Sequence, residues 1–143
     1  YEYKTLMVQN YGAGIQACYR GPRLYDTPET KAVVVDVIRW YKKYRNILNS
    51  DIIHLRKPDA QDWDGIMHVN PKGKKKGFAL FFNPTDKAIT RRIDLPLYYT
   101  GLTETARIRE KEGRAVKYRL GRDYSVQLDV TIPAKGYTWY VIE

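Results

Sequence analysis

The sequence predicts a mainly β chain, an antiparallel β-sandwich of about eight strands with one leading α-helix. Three observations carry this. Before Asn49 the chain holds one long apolar run of helical period, and after Ser50 the period shifts toward two. Turn signals built on Pro, Gly, Asn and Asp then recur at short, regular spacing, which is the pattern of a sandwich. The 143 residues are 43% hydrophobic and 13% aromatic, with 13 Tyr, 3 Trp and 3 Phe, too apolar for a disordered chain and long enough to bury a core without disulfide or metal staples.

The helix is expected over about 28–48. Thr27 is placed to cap it, Pro28 suits the first helical position, and Glu29 sits beside the positive end of the dipole. Apolar residues recur at Val33, Val37, Trp40, Tyr41, Tyr44, Ile47 and Leu48, with Lys42, Lys43 and Arg45 near the C-terminal end and Asn49-Ser50 as a stop. Val34, Val35 and Ile38 widen the apolar stripe, so the helix is expected to touch more than one surface.

Strands are expected at 52–55, 65–69, 77–83, 88–95, 105–110, 115–119, 125–132 and 138–142. Val126, Leu128, Val130 and Ile132 should face the core, with Gln127, Asp129 and Thr131 in water. Phe78 to Phe82 is apolar at every position, which marks a central strand covered on both faces, with the final strand as its neighbour.

Residues 1–25 read as one strand, Thr5 to Gln9, followed by an irregular Gly-rich stretch. Gly12-Ala13-Gly14 lacks the third glycine, the following helix and the distant acidic residue of a dinucleotide site. Cys18 is expected as a small buried side chain, and Arg20 and Arg23 either as a bidentate fork for carboxylate or phosphate or, if 1–25 end a barrel, as residues near its active-site face. The chain opens on Tyr1, and an excised or processed piece of a longer chain is expected.

The formal charge is +9, distributed as +4, +3 and +2 over 1–50, 51–100 and 101–143. Only Lys72, Lys74, Lys75 and Lys76 form a dense run, between Pro71 and Gly77, so a solvated hairpin tip is expected ahead of a polyanion contact. One Cys and two His leave no ordinary thiolate or imidazole metal cage, so no metal or cofactor is expected. His54 and His68 read as strand residues facing water or a backbone partner.

Two segments resemble the end of multidomain glycoside hydrolases, in which a (β/α)8 barrel is followed by an all-β accessory domain, as in α-galactosidase-like enzymes. Gly77-Phe78-Ala79-Leu80-Phe81-Phe82-Asn83-Pro84-Thr85 is similar to a strand and turn of such domains, and Val130 to Glu143, with Pro133 and Gly136 before an aromatic strand, is similar to their closing hairpin. Arg39 to Leu48 looks like the last barrel helix. The resemblance covers roughly 28–143 and implies a tail of the preceding domain at 1–26, a connecting helix at 27–50 and a C-terminal β-sandwich at 51–143. It further implies a non-catalytic domain that packs on and stabilises the barrel of its own parent chain, inactive alone, because the carboxylate pair of such enzymes is borne by the barrel. A secreted or periplasmic location follows from the resemblance alone.

The alternative function is a carbohydrate-binding module, with Trp63, Tyr98, Tyr99 and Tyr124, in or beside turns, as its stacking residues. Trp40, Tyr41 and Tyr44 are the candidates for interdomain packing. A basic polyanion-binding domain is a second alternative, disfavoured by the even charge. No catalytic residue is expected. Asp59, Asp62 and Asp64 around Trp63 form the richest acidic cluster, but an EF-hand register would put Ala60 first and Pro71 twelfth, where acidic ligands are required. A polar turn, a sugar contact and a calcium site of another kind remain open for it.

Overall fold

The computed structural model describes residues 2–15 and 25–143. The expectations for Cys18, Arg20 and Arg23 lie outside the described residues. Two helices, α1 (Glu2–Gly12) and α2 (Pro28–Leu48), precede eight strands: β1 (Asp51–Arg56), β2 (Asp64–Val69), β3 (Gly77–Phe82), β4 (Ile89–Pro96), β5 (Thr105–Glu110), β6 (Val116–Arg119), β7 (Ser125–Ile132) and β8 (Tyr137–Ile142). A short 3-10 turn, Tyr98–Thr100, follows β4.

The strands form a six-stranded sheet of order β1-β2-β3-β8-β5-β6 and a two-stranded ribbon, β4-β7, antiparallel throughout. The ribbon covers one face of the large sheet and the two helices cover the other. This is why β3 is apolar at every position and buried along its whole length. Phe78, Leu80 and Phe82 share a core with Val37, Tyr44, Trp139 and the other helix-facing residues. Ala79 and Phe81 point the opposite way, into a core with Ile93, Leu95, Val126, Leu128 and Val130 of the ribbon. Strand β7 alternates as its sequence requires, and β8 pairs with β3 from Gly77↔Ile142 to Phe82↔Tyr137.

Helix α2 begins where its cap places it, with Thr27 Oγ1 accepting from the Thr30 amide at 3.1 Å and Pro28 opening the first turn. The expected strand at Thr5 to Gln9 is incorrect, because that stretch lies within α1. Along α1 the buried and half-buried positions are 4, 5, 7, 8, 11 and 12, a helical spacing that a short polar segment conceals in sequence. Tertiary packing outweighs the weak local preference: Met7 and Val8 bury on α2 and the sheet, and the Tyr11 ring meets Tyr41 at 5.0 Å. Gly12 permits the approach, since a Cβ there would stand 2.7 Å from Leu80 Cδ1.

His68 of β2 joins these layers. It is fully buried, with Nδ1 3.2 Å from the carbonyl of Ser50 and Nε2 hydrogen-bonded to the carbonyl of Gly12. It therefore meets main-chain oxygens at the C-terminal ends of both helices, which have no partner within the helices themselves.

Asn83 does comparable work at the other end of the sheet. Its side-chain amide donates to the carbonyls of Lys87, Ile132 and Pro133, and Oδ1 accepts from the amide and hydroxyl of Thr85. The Asn-Pro-Thr turn thus fastens β3 to the corner between β7 and β8, so the two segments that suggested a resemblance are parts of one junction.

Candidate functional site

Three of the four candidate stacking residues come together. Tyr98 and Tyr99 occupy the 3-10 turn and Tyr124 the turn before β7. The Tyr98 ring lies 5.2 Å from Tyr99 at 89° and 5.7 Å from Tyr124 at 61°. All three remain in water, 63%, 61% and 37% exposed respectively. The turns that carry them are fastened together: the Leu97 amide donates to the carbonyl of Tyr124, and the buried Thr100 hydroxyl donates to the carbonyl of Leu97. Asp123 closes the second turn by accepting from the amide and hydroxyl of Ser125, which hold its carboxyl below the usual range.

Trp63 is elsewhere. It precedes Asp64, which pairs with Phe82 at one end of the sheet, whereas Gly101, after the tyrosine turn, approaches Pro71 at the opposite end. The Trp63 ring is half-buried, edge-on to Phe81 at 5.7 Å, with the Arg56 guanidinium 5.8 Å over it.

The acidic cluster builds that same turn. Asp59 pairs with Arg56 at 2.7 Å and accepts from the amides of Gln61 and Asp62, and these contacts, the arginine first, hold its carboxyl well below the usual range. Asp62 pairs with Arg91 of β4 at 3.3 Å. Asp64 is half-buried, and burial raises its pKa. Among the described residues no group of three or more Cys, His, Asp or Glu is placed to hold a metal ion. His54 is exposed on β1.

Lys72 and Lys74 stand in water at the β2–β3 turn, while the Lys76 ammonium folds back onto the carbonyls of Pro71 and Gly73. A concavity of about 700 Å³ between this turn and the end of α2 is lined by Lys43, Arg45, Asn46, Asn70, Lys74 and Lys75. Its floor is a helix C-terminus, so these cations offset the negative end of the dipole.

Two of the three aromatic residues of α2 face the sheet. Tyr44 is buried against Phe78 at 5.1 Å and Trp139 at 5.0 Å, and Trp40 meets the same two rings at 5.9 and 6.0 Å. Tyr41 is half-buried beside α1 and donates to Asn49 Oδ1. The Tyr44 hydroxyl meets Glu112, in the turn between β5 and β6, and Arg109 Nη2 of β5. No local signal marks Glu112 in the sequence.

No family model and no curated protein sequence matches this chain. Its structure, however, is similar over nearly its whole length to parts of solved glycoside hydrolases. With a GH27 β-L-arabinopyranosidase from Geobacillus stearothermophilus the TM-score is 0.64 at 11% identity, over 99% of this chain and 30% of that one. With an α-amylase from Geobacillus thermoleovorans it is 0.62 at 14% identity, over 98% and 32%. With α-galactosidase I from Mortierella vinacea it is 0.59 at 13% identity, over 99% and 35%. The chain spans about a third of the length of these proteins. At these identities the likeness is one of fold.

Proposed function

We propose that this chain is the non-catalytic C-terminal domain of a glycoside hydrolase, and that it packs on the catalytic barrel of the same parent chain and stabilises it. The observation that carries the reading is the fold likeness, which takes in 98–99% of this chain and only about a third of each hydrolase. In this reading the sandwich of 51–143 is the accessory unit, the helix of 27–50 connects it, and 1–26 is the end of the barrel.

Two features support it. Glycosidases need two carboxyl groups facing one another across a bound sugar, one of them free to accept or give a proton. In the acidic cluster Asp59 and Asp62 are instead paired with arginines, which leaves Asp64 as the one carboxyl of the cluster outside an ion pair and so no facing pair. On α1, Tyr3 and Leu6, one helical turn apart, leave large apolar side chains exposed, a surface suited to a neighbouring domain.

A panel of p-nitrophenyl glycosides tests the inert part of the reading. No release above buffer is expected from this chain, and sustained turnover would overturn it. The reading frame upstream of Tyr1 tests the rest: it is expected to encode alternating strands and helices with two strand-end carboxylates, and an upstream sequence without that pattern contradicts the assignment.

A further inference from the structure

We infer that Tyr98, Tyr99 and Tyr124 form a binding site for a neutral polysaccharide, a role distinct from docking on a barrel. The first ground is composition. The exposed aromatic side chains of the patch are all tyrosines, each joining an apolar ring to a hydroxyl, with Arg122 and Asp123 exposed beside Tyr124. A pyranose ring has the matching character, with C–H groups on its face and hydroxyls at its edge. The large exposed aliphatics Leu6, Ile15, Ile52 and Val116 belong to other segments.

The second ground is geometry. Tyr98 stands at 89° to Tyr99 and 61° to Tyr124, so the rings meet edge to face and do not stack upon one another. The rings make a corner of amphipathic surface, each of them exposed to water.

The third ground is backbone strain. Tyr124 has φ 60°, in the left-handed region that favours Gly or Asn. A bulky aromatic residue is costly there, and its ring is directed onto Tyr98. Strain of this kind gathers at functional positions, where the surroundings enforce it. Here the enforcing contacts are the bonds from the Tyr124 amide to the carbonyl of Gly121, from Leu97 to the carbonyl of Tyr124, and from Ser125 to Asp123. The corner is therefore set before any ligand arrives, which lowers the ordering cost of binding.

Affinity electrophoresis through gels cast with galactomannan, arabinogalactan, soluble starch or xylan provides the test. Retardation is expected in at least one gel. Tyr98→Ala and Tyr99→Ala should each weaken binding about tenfold, as loss of one aromatic contact implies, with unchanged melting temperature because both rings are exposed. Trp63→Ala, at the other end of the sheet, should migrate like the parent in the retarding gel. Free migration in every gel, or full retardation of the Tyr98→Ala/Tyr99→Ala double variant, overturns the inference. Either result leaves the accessory role standing, because that role is read from glycoside turnover and the upstream frame.

Discussion

The Tyr44 hydroxyl donates to Glu112 Oε1 at 2.5 Å, joining residues 68 apart in sequence. The Lys43 ammonium reaches the same oxygen at 2.8 Å, and Arg109 donates to the Tyr44 hydroxyl at 3.3 Å. A helix, a strand and a turn thus converge beside the rings of Phe78 and Trp139. The apolar stripe of α2 supplies the adhesion, and this polar contact at its edge fixes the rotation of the helix on the sheet.

Tyr44→Phe keeps the packed ring and removes the hydroxyl, so a loss of about 1–2 kcal/mol is expected from the hydrogen bond to a carboxylate. Tyr44→Ala also empties the space between Phe78 and Trp139, and about 3–5 kcal/mol is expected. Urea unfolding with an unchanged m-value checks both. Equal losses for the two variants would mean that the ring contributes nothing beyond its hydroxyl.

Acid and alkali should both destabilise the fold. Lys43 first, then Tyr44, lower the pKa of Glu112, as Arg56 and two amides lower that of Asp59. The unfolded chain therefore binds protons more readily at these sites. Their contribution is complete above the ordinary values of 4.5 and 3.8 and is lost as pH falls through the lower folded values. Burial raises Tyr44 and Tyr140 above the ordinary value of 10.0, so their contribution holds below that pH and disappears as pH rises through the folded values. Melting temperatures followed by circular dichroism should fall below about pH 4 and above about pH 10. Asp64 opposes the acid trend, because burial raises it, and Asp64→Asn should steepen the acid limb. A melting temperature that climbs between pH 5 and pH 3 contradicts this account.

His68→Leu leaves the carbonyls of Gly12 and Ser50 facing an apolar side chain. A loss of about 1–3 kcal/mol is expected, because the carbonyl served by the imidazole N–H loses its donor. Hydrogen exchange should quicken first in α1, whose C-terminal end the imidazole holds, while β3 and β8 stay protected. Uniform loss of protection would place His68 in the global core, without a particular role in holding α1.

The strands and α2 were legible because their cause is local. Alternation in β7, the doubly apolar β3 and the Thr27-Pro28 start of α2 each express burial or capping within one segment. Helix α1 was not legible, since its apolar positions are few and gain meaning only against Tyr41, Leu80 and His68. The tyrosine corner was half legible: the sequence put Tyr98, Tyr99 and Tyr124 beside turns, and Trp63 looked equivalent to them.

The sequence alone therefore determined the number, order and type of the strands, the bounds of α2 and the central place of β3. Periodicity records which side of an element meets water, and that record is complete within each segment. Only the tertiary structure decided that the large sheet lies between a ribbon and two helices, that Trp63 stands at the opposite end from the tyrosines, and that Glu112 meets Tyr44. These depend on residues distant in sequence arriving at one point, a consequence of strand order and chain crossing that no local pattern encodes.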